Sequence, residues 1–490
     1  MPSRDGSSPG EELRAVRLAK WRALQEAGQD PFAVTRFVRS HQAAAVRQGF
    51  PANQGAVVRV AGRVMALRRH GGAAFLDVED ASGRLQWYVT RDHPEAFRWL
   101  ESLDLGDHVG AEGTVFQTRR GEVSVAVTAL TVLAKSLRGL PDKRHGLQDV
   151  DLRYRQRYLD LLANPETRKV FHIRSEAVRS IREFLHQEAF VEVETPVLLT
   201  LAGGAEARPF KTHHNALNIP LYLRIAMELH LKRLIVGGYE RVFEIGHSFR
   251  NEGMDTRHSP EYTMLELYWA YHDYEDMMDL VERLMEHVVR AATGGTTLQV
   301  GDRRLDFAPP YPRVDLLERF HERTGLDWFQ LDTREKAWAA CRDLGVVVDG
   351  GASRTQILDK LVSQTVERDL DRPTFLIHHP VELSPLAKRR ASDPRTTERF
   401  ELFCQGTELA NAFSELNDPL DQRQRFLAQQ EERRAGNDEM PELDEDFLTA
   451  LEYGMPPTAG LGLGIDRLVM LLADVPTIRD VILFPIMRPL

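Results

Sequence analysis

The stretch Glu240–Tyr271, ERVFEIGHSFRNEGMDTRHSPEYTMLELYWAY, decides the fold of the larger part of this chain. Up to Phe249, apolar and polar residues alternate, with Val242, Phe243, Ile245 and Phe249 marking a strand. A run dense in charge follows, through Arg250, Asn251, Glu252, Asp255, Arg257 and His258. From Glu261 to Tyr268 the alternation returns with Tyr262, Met264, Leu265 and Leu267. The pattern predicts a β-hairpin carrying a long charged loop. Flanked by apolar strands, such a loop reads as functional. Two arginines held on rigid strands clamp a phosphate bidentately. A solvated, salt-bridged hairpin tip has the same composition.

Working outward, Thr458–Gly464 reads as a glycine-rich strand leading into a helix over Ile465–Leu472, with Arg467 on its first turn. GLGLG lacks the Lys-Ser/Thr of a phosphate loop and the spacing of a dinucleotide fold. Its glycines permit close approach of a flat ligand. Thr167–Gln187 predicts an amphipathic helix with Val170, Ile173, Val178, Ile181 and Leu185 inward, and Phe190–Val193 a short strand ended by Thr195-Pro196. A strand over Tyr222–Ile225, a helix over Glu228–Val236 and a helix over Asp273–Ala292 surround the hairpin. Residues 310–372 read as a helical insertion with helices near 313–324, 333–344 and 353–369. Thr374–Ile377, Arg399–Cys404 and Glu408–Phe413 return to β. Asp418–Gly436 reads as a charged, solvated helix, and the acidic run from Asp438 and Glu439 to Asp446 as solvated surface.

Toward the N-terminus the pattern changes. Five strands near 57–67, 73–79, 84–90, 108–117 and 122–133 are separated by Gly71-Gly72, Ser82-Gly83, Gly106-Asp107 and Arg120-Gly121. That predicts a small closed barrel of OB type, which binds single strands by stacking bases on aromatics. Before it, residues 1–50 form a helical extension: a disordered start, then a helix over Glu11–Ala27 with Leu13, Val16, Trp21 and Leu24 on one face. The domain plan is an extension over 1–50, a barrel over 51–135, a linker over 136–150 holding Pro141 and Gly146, and an α+β domain over 151–490.

A net charge of −10 means any RNA contact comes from a local patch. Arg4, Arg14, Arg17, Lys20, Arg22, Arg36, Arg39 and Arg47 give the first fifty residues a modest positive excess, with a solvated helix face as the alternative. No apolar run is long enough to span a membrane, and MPSRDGSSPGEEL lacks a signal-peptide core. Cys341 and Cys404 have apolar neighbours and no zinc spacing, which predicts buried thiols in a reducing, cytoplasmic setting.

The hairpin block FRNEGMDTRHSPEYTMLELYWAY resembles motif 2 of class II aminoacyl-tRNA synthetases in its lysine-specific form. Gly460–Leu490, GLGLGIDRLVMLLADVPTIRDVILFPIMRPL, resembles motif 3, and Phe184–Leu198, FLHQEAFVEVETPVL, is similar to motif 1. The likeness continues through RYRQRYLDLLANPETR, GGAEARPFKTHHNALN and ELANAFSELNDPLDQRQRF, from about Val57 to the last residue, and is close to the bacterial lysyl enzymes.

That resemblance implies an OB-fold anticodon-binding domain followed by a catalytic domain built on an antiparallel sheet flanked by helices. It implies ATP-dependent activation of L-lysine, transfer to tRNA(Lys), a magnesium ion and a homodimer joined through the motif 1 unit. Arg250 would bridge the lysine carboxylate and the α-phosphate. Arg257 and His258 would hold the outer phosphates, and Arg467 would cover the adenine or reach the γ-phosphate. Glu252 and Tyr262 would meet the adenine, and Glu401 and Glu408 would ligate magnesium. Glu266, Tyr268 and Glu415 would surround the ε-ammonium, Glu228 the α-ammonium and Asn411 the carboxylate. Phe413 would pack along the aliphatic stem, under a loop at Gly204. In the barrel, Arg68, Phe75 and Gln86 would read the central anticodon base and Glu122 the first. Read alone, Phe75 in its apolar strand is a core residue.

The chain departs from the family at Met227, where Pro is frequent, at Gly246-His247-Ser248, at Tyr262 in place of Phe, and at Ala412, where Gly is common. Ala412 is expected to tighten the pocket slightly. Three alternatives compete: the same enzyme class charging Asp or Asn, a lysine-adenylating relative with a non-tRNA acceptor, and a non-catalytic RNA-binding homologue. The ELANAFSELND block argues against the first, and the intact arginine and glutamate set disfavours the last.

Overall fold

The computed structural model describes residues 9–141, 147–434, 440 and 442–489. Arg4, the rest of the segment before residue 9, Gly146 of the linker, and Asp438 and Glu439 of the acidic run lie outside the described residues. The chain divides into two compact units, 1–148 and 149–490.

In the first unit, Val57–His70, Ala73–Asp80, Gly83–Thr90, His108–Gln117 and Val123–Ala134 close into a five-stranded barrel. All neighbours are antiparallel except the third and fifth strands. Alternation sorts the side chains: Ala74, Leu76 and Val78 fill the interior, while Phe75 and Asp77 face outward. Phe75 is therefore not core. Gly106 has φ +98°, and a Cβ there would stand 2.6 Å from Ser136 Oγ, so the turn requires glycine. Beside it, Asp107 accepts from the backbone N–H groups of Asp104 and Ser136 at 2.8 and 2.7 Å and from Lys135 Nζ at 2.5 Å. Neither side chain of this pair has any exposure.

The helix Pro9–Glu26 corrects the expected apolar face. Leu13 and Val16 are exposed, and the buried residue is Arg17, which donates to the carbonyls of Ser136 and Arg138, both at 2.7 Å. A guanidinium capping carbonyls at the end of the barrel outcompeted two aliphatic side chains.

The second unit is built on one eight-stranded sheet. Its spatial order is Arg313–Asp315, Thr374–Ile377, Arg399–Cys404, Thr407–Ser414, Thr458–Gly464, Glu261–Ala270, Arg241–Phe249 and Val191–Glu192. Pairing is antiparallel except at the two ends of the sheet. The hairpin forms as read, with Phe249 opposite Glu261 and a loop from Arg250 to Pro260. The helices Pro165–Gln187, Tyr274–Thr293 and Ile465–Leu472 cover one face and share its apolar core.

Three expectations change here. Residues 313–315 are not helical but pair in parallel with Thr374–Ile377, so the insertion starts from the sheet itself. The strand expected at Tyr222–Ile225 runs over Ile219–Leu223. The helix Pro419–Arg434 is not a solvated surface, because Gln422, Arg425, Phe426 and Gln429 are all buried. Arg425 donates to the carbonyls of Ser384 and Ala387, and such side chain-to-backbone bonds leave no periodic apolar signature. The acidic run likewise has structural work: Asp444 caps the helix Glu445–Glu452 and pairs with Arg233.

Replacing Lys135 by Met should leave Asp107 buried without its cation. We expect a loss of about 3–5 kcal/mol in the barrel unit. Native-state hydrogen exchange would show this as faster exchange of barrel amides, with those of residues 149–490 unchanged.

Candidate functional site

A cavity of about 230 Å³ opens where the hairpin, the glycine-rich strand and the strand Thr407–Ser414 lie side by side. It is lined by Gly204, Glu228, Arg250, Glu252, Arg257, His258, Tyr262, Glu266, Tyr268, Glu408, Asn411, Phe413, Glu415 and Arg467. Every residue expected to meet lysine or ATP is therefore on its wall except Glu401. Strand alternation explains the selection: Glu266 and Tyr268 face one way on their strand, as do Asn411 and Phe413 on theirs. Ala412 points to the opposite side and is fully buried in the sheet's core, so it does not narrow the pocket as expected.

One end of the cavity concentrates buried negative charge. Glu228, Glu266 and Glu415 are 8%, 5% and 1% exposed. Among the described residues, Oε1 of Glu415 has no hydrogen-bond partner. Burial, with Glu228 nearby, pushes the Glu266 carboxyl up to about 7. The backbone N–H of Met227 donates to Glu266 Oε1 at 3.1 Å and works against that rise; a proline at this position has no N–H to give. Burial and the surrounding carboxylates hold the Tyr268 hydroxyl well above its ordinary value, so it stays protonated. Gly460 lies against this wall: a Cβ there would overlap Glu415 Oε1 and stand 2.6 Å from the Tyr268 ring. Gly204 has φ +87°, with the Cβ atoms of Ala226 and Glu228 at 3.3 and 3.5 Å from where its own would be. Gly246 likewise makes room, here for the Arg224 guanidinium that pairs with Glu244 at 2.5 Å.

The other end is cationic. The guanidinium of Arg250 lies 5.5 Å from the centroid of the Tyr262 ring and has no carboxylate partner among the described residues. Asn411 Oδ1 accepts from Arg399 Nε at 3.0 Å, which leaves its NH₂ group as a donor to the cavity. Arg467 donates to Glu408 Oε2 at 2.9 Å, and its other nitrogen lies 3.5 Å from His258 Nε2. His258 Nδ1 is 2.8 Å from Asp255, and Arg257 donates to the carbonyl of Gly406. Glu252 is exposed on the loop. Asp466 escaped the sequence reading. It accepts from the backbone of Thr263 at 2.6 Å and pairs with Arg174, tying the helix Pro165–Gln187 to the hairpin and to the turn that carries Arg467. The Asp of GIDR was the available signal.

Glu401 and Glu408 occupy neighbouring strands across the turn Gln405–Gly406, with a register irregularity between Leu402 and Phe403. Glu401 is off the cavity wall and is held by Arg399 at 2.5 Å and His379 at 3.3 Å. Burial would raise it, but these two partners outweigh burial and pull it down to about 2. Among the described residues no group of three or more His, Cys, Asp or Glu is arranged to hold a metal. Burial, with Glu401, Asp359 and Glu408 close by, pushes Glu367 up to about 8. Of the two expected magnesium ligands, Glu408 is on the cavity wall and Glu401 lies behind it; a magnesium ion there would take its remaining ligands from phosphate and water.

On the barrel, Arg68, Phe75 and Gln86 share the outer face. Arg68 is opposite Phe75, and Gln86 is opposite Asp77. Arg68 forks onto Asp77 with two bonds of 2.8 Å. Gln86 Oε1 accepts from Ser124 Oγ at 3.0 Å, which turns its NH₂ outward as a donor. Tyr88 and Phe116 were missed. The Tyr88 ring lies 4.9 Å from that of Phe75 and the Phe116 ring 5.8 Å from that of Tyr88, forming an aromatic ladder that the i, i+2 step from Gln86 to Tyr88 could have flagged. Glu122 is exposed where the fifth strand begins.

Comparison with known proteins supports both units. Residues 149–488 match the family described as tRNA synthetases class II (D, K and N), and residues 58–133 match the OB-fold nucleic acid binding domain. A lysine–tRNA ligase of Moorella thermoacetica is 55% identical over 480 residues, which is 98% of each chain. That of Carboxydothermus hydrogenoformans is 51% identical with the same coverage. The Bacillus subtilis lysine–tRNA ligase is 50% identical over 96% of each chain. With three motifs in one sheet and matches over nearly its full length, this chain belongs to the class II tRNA synthetases (D, K and N).

Proposed function

We propose that this protein is a lysine–tRNA ligase. The observation that carries the reading is the gathering of three buried carboxylates, Glu228, Glu266 and Glu415, at one end of the cavity. Buried anions of this kind call for a cation. The ammonium of lysine supplies it, whereas aspartate or asparagine would bring charge of the wrong sign or none. The curated relatives of matching length carry the same activity in their names.

The reaction has two steps. A lysine carboxylate oxygen attacks the α-phosphorus of ATP; the new P–O bond forms as the α–β anhydride breaks and pyrophosphate leaves. A ribose hydroxyl at the tRNA 3′ end then attacks the adenylate carbonyl, and AMP departs as the acyl–phosphate bond breaks. The first step brings two anions together, so charge is its main obstacle. Arg250, unpaired among the described residues, stands ready to span the carboxylate and the α-phosphate. Asn411 donates to that carboxylate, and Glu228 faces the α-ammonium. Arg257, His258 and Arg467 take the outer phosphates, while Tyr262 and Glu252 meet the adenine. Magnesium at Glu408, with Glu401 behind it, would neutralise the phosphates when bound. No nucleophilic side chain is required: positioning and charge do the chemistry.

The outer face of the barrel is the proposed anticodon contact, with Phe75 as the stacking platform and Arg68 and Gln86 at its edge. Glu122 is placed for a neighbouring base. The chain is proposed to act as a homodimer. The edge strand Val191–Glu192 supports this, with Val191, Val197 and Leu198 all exposed around it. No described helix is long and apolar enough to cross a membrane, and a cytoplasmic setting follows from the proposed role in translation.

Amino-acid-dependent ATP–pyrophosphate exchange with magnesium, run across the standard amino acids, should show exchange with lysine alone. Exchange with aspartate or asparagine would overturn the pocket assignment, and no exchange at all would overturn the enzyme reading. Because Glu266 in the free protein takes up its proton near pH 7, kcat/KM for lysine should fall as pH drops, by about tenfold from pH 8 to pH 6. Glu266→Gln should flatten that limb. Phe75→Ala should weaken tRNA binding by roughly 1–3 kcal/mol, read as a raised KM for tRNA, and leave exchange untouched.

A further inference from the structure

The helix Glu228–Val236 buries a charge that the reaction scheme does not use. Lys232 is 0% exposed, one helical turn after Glu228. Its Nζ donates to Glu228 Oε1 at 2.5 Å and forms a close ion pair with Glu415 Oε2. The rings of Phe413 and Phe447 lie 5.5 and 5.9 Å from the ammonium. Lys232 therefore grips two of the three carboxylates proposed to receive the substrate, from behind the wall they form.

We infer that Lys232 is a positioning residue for amino-acid selection: it holds the carboxylates of Glu228 and Glu415 in the orientation that receives the ammonium groups of the substrate. The inference rests on the proposed lysine specificity. Glu228, Glu266 and Glu415 bring three carboxylates to the pocket, and Lys232 is the cation that two of them share. The substrate carboxylate is answered at Arg250. With Oε2 of Glu415 held by Lys232, Oε1 is the oxygen left open beside Tyr268 and Gly460.

Ionisation is the second half of the role. Burial works to neutralise the Lys232 amine, but Glu228 and Glu415 outweigh it and hold the ammonium above its ordinary value. Burial likewise drives the Glu415 carboxyl up, with Glu228 and Glu266 adding to the rise, and Lys232 is the cation that opposes it. The groups facing this cluster are Glu228, Glu266, Tyr268 and Glu415. Without Lys232, three carboxylates would share a dry pocket and protons would replace the missing cation. A protonated pocket grips ammonium poorly until rising pH removes those protons.

The test is lysine-dependent ATP–pyrophosphate exchange at pH 6 to 9 for the wild type, Lys232→Met, Lys232→Gln and Lys232→Arg, with unfolding temperatures measured alongside. Wild-type exchange with lysine alone establishes the specificity reading first, and its absence would sink that reading rather than this one. For a folded Lys232→Met or Lys232→Gln, the lysine KM should rise tenfold or more at pH 7 and recover toward pH 9. The ATP KM should stay within about twofold, and Lys232→Arg should restore most of the lysine affinity. An unchanged lysine KM, or lysine and ATP KM rising together at every pH, would overturn the inference. So would failure of both uncharged variants to fold, because the role would then be structural.

Discussion

A carboxylate shut away from water must find a cation, and the larger unit of this protein is arranged around that constraint. Glu228, Glu266 and Glu415 come from a helix, a central strand and the end of another strand, yet they converge in one dry volume. An isolated ion in such a place costs several kcal/mol. The protein answers part of the demand itself, through Lys232 and the Met227 N–H, and among the described residues Oε1 of Glu415 is left unanswered. Local stability is given up where the ligand will restore it, as functional sites commonly do.

The sheet makes this convergence possible. Gly460 and Gly462 lie opposite Tyr268 and Glu266, so at these two positions the strand that faces the charged wall presents bare backbone. A flat ligand can lie against bare backbone there. The cationic end is held differently, by long side chains anchored through second partners: Arg467 on Glu408 and Asn411 on Arg399. Arg250 is the exception: its guanidinium is braced by the Tyr262 ring and meets no carboxylate among the described residues. The Asp466–Arg174–Thr263 linkage then joins this end to the helix that leads into the edge strand of the sheet.

Much of this was readable in the residues. The alternation on both sides of the charged run gave the hairpin, and the strands at 374–377, 399–404 and 458–464 carry apolar signals strong enough to fix their ends. The cavity wall was legible because motif spacing and strand alternation agree on which residues face it. What escaped was decided by tertiary partners rather than by local pattern. Arg17 and Arg425 lie in segments that read as solvated faces and Lys232 carries no local signal, yet each is buried because carbonyls or carboxylates from distant positions meet it. The short strand 313–315 exists only because Thr374–Ile377 pairs with it. Glu401 illustrates the limit of motif transfer: its place in the sequence is family-like, but Arg399 and His379 hold it behind the wall.

The alternation along Thr407–Ser414 also divides the labour of change. Ala410 and Ala412 belong to the sheet's core, whereas Asn411 and Phe413 face the cavity. Substitutions at the two cavity positions alter what the protein accepts with little disturbance to packing. Substitutions at the core positions tax folding without touching recognition. A lineage drifting toward a new amino acid therefore has a short set of positions it can explore cheaply, printed along one strand in steps of two.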